Sequence, residues 1–251
     1  MQRRMGCLIR REAEVDSTNR AARLWAREGA PDGAVVVAAR QTAGRGRMRR
    51  RWESPEGTGL YYSAIVRPNL PEEKFPCLTF AAAMAACDAC RAFAPDTVVK
   101  WPNDLILYGR KIAGILLEKE GGAAVIGIGV NARQRLEDFP EELREKAGSL
   151  EMLTGKPVSL CALENALTQA LGARVEQAER GEWMDDYRAL CATLGAQVRV
   201  AAADETFEGA AEDMDETGAL LVRDAAGALR RVLAGDVSVR GMMGYADWNR
   251  D

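Results

Sequence analysis

Residues suited to chemistry gather in four short stretches. The first, Gln41-Thr42-Ala43-Gly44-Arg45-Gly46-Arg47-Met48-Arg49-Arg50-Arg51-Trp52, holds five arginines in seven positions. Arginine grips phosphate or carboxylate through paired hydrogen bonds, and glycine lets the backbone approach a ligand closely. Filled with an anion, such a loop orders; left empty, it repels itself and should be mobile. Two other readings fit the same composition, a solvated basic loop and a nucleic-acid patch. The second stretch is Lys100-Trp101-Pro102-Asn103-Asp104. Lys100 could supply a point charge to an α-phosphate, and Asp104 could help hold Mg²⁺, which takes one or two carboxylates plus substrate oxygens. A proline-marked turn with a surface ion pair is the alternative. The third, Gly109 to Glu118, reads as a hairpin with a charged tip. The fourth, Gly127-Ile128-Gly129-Val130-Asn131, looks like a nucleotide-binding glycine turn, although a lone Gly-x-Gly is a weak signal. The P-loop pattern is absent.

Histidine is absent too. Mechanisms that need imidazole are thereby excluded: serine–histidine triads, histidine-bound zinc and histidine general bases. The chemistry must run on Lys, Arg, carboxylates and a borrowed metal ion, which suits phosphate chemistry. The net charge of −3 gives the whole molecule no strong pull on nucleic acid or anionic membrane, so an anion site must be a local basic patch. No secretory signal and no apolar run of about 18 residues is present, so the sequence predicts a cytoplasmic protein with reduced thiols. Cys87 and Cys90 form a CxxC pair in an Ala-rich stretch with no second pair at ligand spacing. They read as small buried hydrophobes.

The elements that must position these residues follow from periodicity and breakers. Ser17 to Glu28 reads as an amphipathic helix whose capping residues are Asp16, Ser17 and Thr18. Ala34 to Ala39, Leu60 to Val66, Thr97 to Lys100, Leu105 to Leu107, Ile112 to Glu118 and Ala123 to Val130 read as strands. Gln41 to Trp52 reads as a loop. Thr79 to Ala92, Ser159 to Glu179 and Glu182 to Cys191 read as helices. After Gly195 five short apolar runs alternate with turns, from Val198 to Arg240, predicting a small all-β barrel. The domain boundary falls near Leu194, giving 1–194 and 195–251.

In order and combination the four stretches resemble the catalytic domain of biotin–protein ligases. The resemblance starts at Glu14-Val15-Asp16-Ser17-Thr18-Asn19 and runs through Gln41 to Arg47, Trp52 to Pro55, Lys100 to Asp104, Lys111 to Glu118 and Gly127 to Asn131. The β-rich end is similar to that family's C-terminal SH3-like barrel, with Gly235 to Arg240 as its last strand. The resemblance implies an α/β catalytic domain like those of class II aminoacyl-tRNA synthetases and biotin–lipoate ligases.

It also implies roles. Ser17, Thr18 and Asn19 match residues that meet the ureido ring of biotin, and Gln41 and Gly114 match further biotin contacts. Arg45, Gly46 and Arg47 match a loop that closes over biotin and its adenylate, and Lys100 a lysine near the biotin carboxylate and α-phosphate. Trp52, Asn103, Lys111 and Asn131 match positions around the adenylate, with Trp52 as a stacking wall for adenine. ATP and biotin are the implied substrates, with Mg²⁺, and a biotin carboxyl carrier domain of a carboxylase is the implied partner. The family contains homodimers. Arg45, Arg47, Lys100 and Lys111 would neutralise charge as biotin's carboxylate meets ATP.

Two positions depart from the family pattern: Arg49 replaces a loop glycine, and Gly59 replaces an asparagine after Gly57-Thr58. The motifs begin at about residue 14, which leaves no room for the DNA-binding domain some members carry, so an enzyme without operator binding is expected. Lipoate–protein ligases are the nearest rival; the Gly44-Arg45-Gly46-Arg47 run and Lys100 to Asp104 favour biotin. A nucleic-acid-binding module is the rival of another class, disfavoured by the acidic total charge.

Overall fold

The structure is a computed structural model describing residues 3–201, 205–233 and 236–243; of Arg49 and Asp236 only the backbone is described. Gly235, the predicted start of the last strand, and 244–251 lie outside the described residues. The larger sheet has seven strands: β1 (Ile9–Val15), β2 (Val35–Gln41), β3 (Gly59–Val66), β4 (Val98–Lys100), β5 (Asp104–Leu107), β6 (Arg110–Glu120) and β7 (Ala123–Asn131). Their order is β1-β2-β3-β7-β6-β5-β4, with only the β1–β2 pair parallel.

Helices cover both faces. On one lies α1 (Thr18–Arg27), whose Ala22, Trp25 and Ala26 pack on Val36, Ile65 and Val125. The other is covered by α2 (Cys77–Arg91) and α4 (Leu160–Glu179), with the short α3 (Leu150–Thr154) and α5 (Met184–Leu190) nearby. Side chains alternate along a strand, so β3 and β7 are divided residue by residue. Tyr62, Ala64, Ile126 and Ile128 join the α2–α4 core, and Ile65 and Val125 join the α1 side. Tyr61, Ser63, Gly127 and Gly129 therefore share the α1 face. Residues 108 and 109 form a two-residue hairpin turn between β5 and β6, both with positive φ (Tyr108 48°, Gly109 76°), the handedness that matches strand twist.

The C-terminal sheet contains β8 (Gln197–Ala201), β9 (Thr206–Met214), β10 (Leu220–Asp224), β11 (Leu229–Val232) and β12 (Asp236–Val239), all antiparallel, in the order β11-β10-β9-β8-β12.

Cys87 and Cys90 are fully buried in α2. Burial pushes the Cys87 thiol up to about 11 and raises Cys90 as well. Burial also pushes half-buried Cys77 up to about 11. With so little thiolate at neutral pH, these thiols should react slowly. A disulfide-exchange reagent at pH 8 should rapidly modify only Cys7 and Cys161, the exposed pair. Fast reaction of Cys87 or Cys90 in the native protein would contradict the packing.

Candidate active site

The start of α1 brings three polar side chains to the α1 face of the sheet. Ser17 holds the N-cap position but makes no side-chain cap bond, contrary to the capping role expected of it. Asp16 instead accepts from the Ser17 amide at 2.6 Å. Thr18 donates to Gln41 Oε1 through both its amide (2.8 Å) and its hydroxyl (3.1 Å), and Gln41 donates to Ser54 Oγ (2.8 Å). Ser63 Oγ stands 2.8 Å from Thr18 Oγ1 and 2.7 Å from Asn19 Oδ1. Asn19 Nδ2 in turn donates to Glu118 Oε2 at 2.9 Å. Ser17, Thr18, Asn19 and Ser63 are all buried, so this is a preset polar cradle.

Glycines give the cradle its floor. A Cβ at Gly127 would stand 2.1 Å from Asn19 Oδ1, and one at Gly129 would stand 2.5 Å from Trp52 Nε1. Gly114 would meet the Trp52 ring at 3.2 Å and Lys111 Nζ at 3.4 Å. The Gly127-x-Gly129 run is thus no phosphate-binding turn. It is the interior of β7, stripped of side chains so that Asn19 and Trp52 can lie on the sheet. Trp52 Nε1 is buried there without a hydrogen-bond acceptor.

The arginine stretch folds back on itself rather than running as an open loop. Arg45 and Arg51 form an antiparallel bridge, Trp52 N donates to Gly44 O (3.0 Å), and a short 3₁₀ turn spans Arg47–Arg49. Met48 sits at the tip with φ 54°, a left-handed residue that is not glycine. The self-repulsion expected of this loop is met by partners on the protein. Arg45 pairs with Glu118 at 2.7 Å and Arg51 with Glu53 at 3.1 Å, and Arg47 donates to Asn103 Oδ1 at 2.7 Å.

The β4–β5 turn supplies the other end. Lys100, 8% exposed, closes β4 and is in register with Asp104 at the start of β5. Asn103 Nδ2 donates to Ile115 O at 3.0 Å, which turns its oxygen toward Arg47. Lys111 Nζ pairs with Asp104 Oδ1 at 2.7 Å and lies 5.6 Å from the centre of the Trp52 ring. Asn131 donates to Gly148 O (3.1 Å) and accepts from Gln134 (3.3 Å).

Every residue assigned to the site from the sequence lines one cavity of about 440 Å³: Ser17, Thr18, Asn19, Gln41, Arg45, Gly46, Arg47, Trp52, Lys100, Asn103, Asp104, Lys111, Gly114 and Asn131. That is the size of a small-molecule site. Its ends differ in chemistry, with neutral donors and acceptors at the cradle and cations around Lys100 and Arg47. Phe139, Lys146, Val237 and Met243 also line it. A second, more open depression of about 490 Å³ lies against Arg45, Met48, Leu116 and Glu118. Sequence reasoning did not single out Ser63 or Glu118. Ser63 had a faint signal, as the lone hydroxyl of small size in an otherwise apolar strand. Glu118 had none beyond its place in the third motif.

Residues 13–133 match the model of the Biotin/lipoate A/B protein ligase family. Over 234 residues the chain is 36% identical to the biotin–[acetyl-CoA-carboxylase] ligase of Mycobacterium tuberculosis, covering 90% of this chain and 86% of the relative. The chain belongs to the biotin/lipoate protein ligase family. It is 33% identical to the biotin–[acetyl-CoA-carboxylase] ligase of Paracoccus denitrificans, covering 86% of this chain and 94% of that ligase. Among solved structures it resembles the Aquifex aeolicus biotin protein ligase in complex with biotin and ATP, with a TM-score of 0.82 at 27% identity, over 93% of this chain and 99% of that one. Residues 193–240 match the Biotin protein ligase C terminal domain. The ligase fold thus extends from the seven-stranded sheet into the C-terminal one. Among the described residues no helix is long and apolar enough to cross a membrane.

Proposed function

We propose that this protein activates biotin with ATP and transfers it to a lysine of a biotin carboxyl carrier domain. The observation that carries this reading is the two-ended cavity: a hydrogen-bonding cradle of uncharged side chains that can meet a ureido ring, and a cationic end for a carboxylate meeting a phosphate. The ureido ring offers both N–H and C=O groups, and the hydroxyls of Ser17 and Thr18 with the amides of Asn19 and Gln41 can answer both. Relatives named biotin–[acetyl-CoA-carboxylase] ligases support the substrate and the acceptor.

In the first step a carboxylate oxygen of biotin attacks the α-phosphorus of ATP. A P–O bond forms, the bond to the β-phosphate breaks, and pyrophosphate leaves. Charge accumulates between two anions, and Arg45, Arg47, Lys100 and Lys111 are assigned to neutralise it. Arg45 and Lys111 begin paired with Glu118 and Asp104 and exchange these partners for the ligand. Trp52, lying against Gly114 and below Lys111, is the wall shared by biotin and the adenylate. Gly46 lets the arginine hairpin close over them, which keeps water from the mixed anhydride. Asn103 positions Arg47, and Asn131 and Lys111 flank the nucleotide. In the second step the unprotonated carrier amine attacks the acyl carbon, the bond to phosphate breaks, AMP leaves, and the amine loses a proton.

Mg²⁺ would supply further charge neutralisation at the phosphates. Asp104 is its proposed protein contact, but that carboxylate is already ion-paired, and no group of three or more ligand-type side chains stands together among the described residues. These residues fit an ion carried by phosphate oxygens rather than a resident metal. A cytoplasmic location and a boundary near Leu194 complete the reading.

Exchange of labelled pyrophosphate into ATP tests it without the carrier. Biotin-dependent exchange is expected. Exchange with lipoate instead would retain the family and overturn the substrate, and no exchange with either would remove the activity.

A further inference from the structure

From residue 195 onward, the described residues give the cavity wall only the apolar Val237, in the C-terminal sheet, and Met243, just beyond it. One turn of that sheet nevertheless reaches the strand end that carries Lys100. The β9–β10 turn is fixed by Asp215, whose carboxylate accepts from Thr217 N (2.9 Å), Thr217 Oγ1 (2.7 Å) and Ala219 N (3.0 Å). Gly218, at its tip, accepts a hydrogen bond from Trp101 Nε1 at 2.9 Å. Trp101 is 2% exposed and directly follows Lys100.

The turn fits its seat closely. Gly218 has φ +86°, and a Cβ there would stand 2.3 Å from the edge of the Phe80 ring. Phe80 cannot easily retreat, because it stacks on Trp183 at 4.7 Å and meets Tyr187 edge-on at 4.9 Å. From the same side Tyr187 donates to Pro102 O (3.1 Å), and Thr193 Oγ1 accepts from Trp101 N (3.0 Å). Three groups outside the cavity therefore grip the two residues after Lys100, and one of them belongs to the other sheet.

We propose that Gly218 is a positioning residue for adenylate formation, through which the C-terminal sheet holds Trp101 and so sets the place of Lys100. The inference rests on the role assigned to Lys100. It gives the C-terminal sheet a part in the first half-reaction, before any carrier protein arrives. A lysine displaced by a fraction of an ångström loses its alignment with the developing charge while the cradle is untouched. The loss should therefore fall on kcat rather than on the KM for biotin.

The full chain is tested with two variants of different kind. W101F keeps the buried ring system and removes the N–H; G218A pushes the turn off Phe80. Both should lower kcat for pyrophosphate exchange, G218A on the order of tenfold, with the KM for biotin within about twofold. In both, amide hydrogen exchange should quicken across residues 98–104 and stay unchanged in β3 and β7. The double variant F80L/G218A, which makes room for the added methyl but keeps the backbone strain of φ +86°, should recover part of the lost kcat. Wild-type kcat and unchanged exchange at 98–104 in both variants would overturn the proposal. So would a G218A defect that F80L fails to relieve, since strain in the turn alone would then explain it. If the wild-type protein itself fails to exchange pyrophosphate, the function proposed above fails, and amide exchange at 98–104 still decides whether the clamp exists.

Discussion

Replacement of Lys100 by alanine should slow biotin-dependent pyrophosphate exchange on the order of 10² to 10³-fold, the usual cost of one lost donor to a developing anion. The reason is positional. Lys100 is buried at the end of β4, in the cavity shared with Arg47, and the reaction brings a carboxylate onto a phosphate. In a site shielded from water, a missing ammonium is not replaced by solvent. Arg47→Ala should fall in the same range, since Arg47 is held toward the same space by Asn103. Lys100 also buries its aliphatic stem, so Lys100→Met is the sharper variant: it keeps the stem and removes only the charge. Undiminished exchange in Lys100→Met, with thermal stability unchanged, would take this lysine out of the mechanism.

Local and long-range features of this chain differ in how plainly its sequence carries them. The amphipathic helix over residues 18–27, the Ala-rich helix over 77–91 and the long helix over 160–179 were all legible, because their composition and periodicity are local. The strands from β2 to β12 were legible for the same reason, to within a few residues at their ends. β1 was not. It is an edge strand exposed along its middle, and the apolar face of Ile9, Ala13 and Val15 is interrupted by Arg11, which leaves too short an alternation to stand out. Its pairing with β2 supplies what its side chains do not signal.

At the site, the motif residues were legible and their partners were not. Gly127-x-Gly129 has the look of a phosphate turn, yet its meaning lies in what sits above it: Asn19, more than a hundred residues earlier, and Trp52. Likewise nothing near Arg45 in the chain announces Glu118 as its counter-charge. Only the alternation of β6, which puts Gly114, Leu116 and Glu118 on the cavity side, brings that carboxylate beneath the arginine hairpin. Such long-range offsets are why an arginine run that looks self-repelling can be a folded hairpin.

The absent Cβ at residue 127 leads to the second large effect. Gly127→Ala would put a methyl carbon 2.1 Å from Asn19 Oδ1 and 2.7 Å from its Cγ. Contacts under about 3 Å are repulsive, so something must move. β7 is buried and hydrogen-bonded on both sides, by β3 and β6, and will not yield first. Asn19 must shift, and with it go the contacts to Ser63 and Glu118 and the register of Thr18 on Gln41. The KM for biotin should rise about 10- to 100-fold, the worth of roughly one or two hydrogen bonds, while the KM for ATP changes little. Shortening the obstructed side chain in Gly127→Ala/Asn19→Ser should return part of the affinity, because the serine hydroxyl stops short of the new methyl. If Gly127→Ala instead raised the KM for ATP and left biotin unaffected, the neutral cradle and the cationic end would have to exchange their ligands.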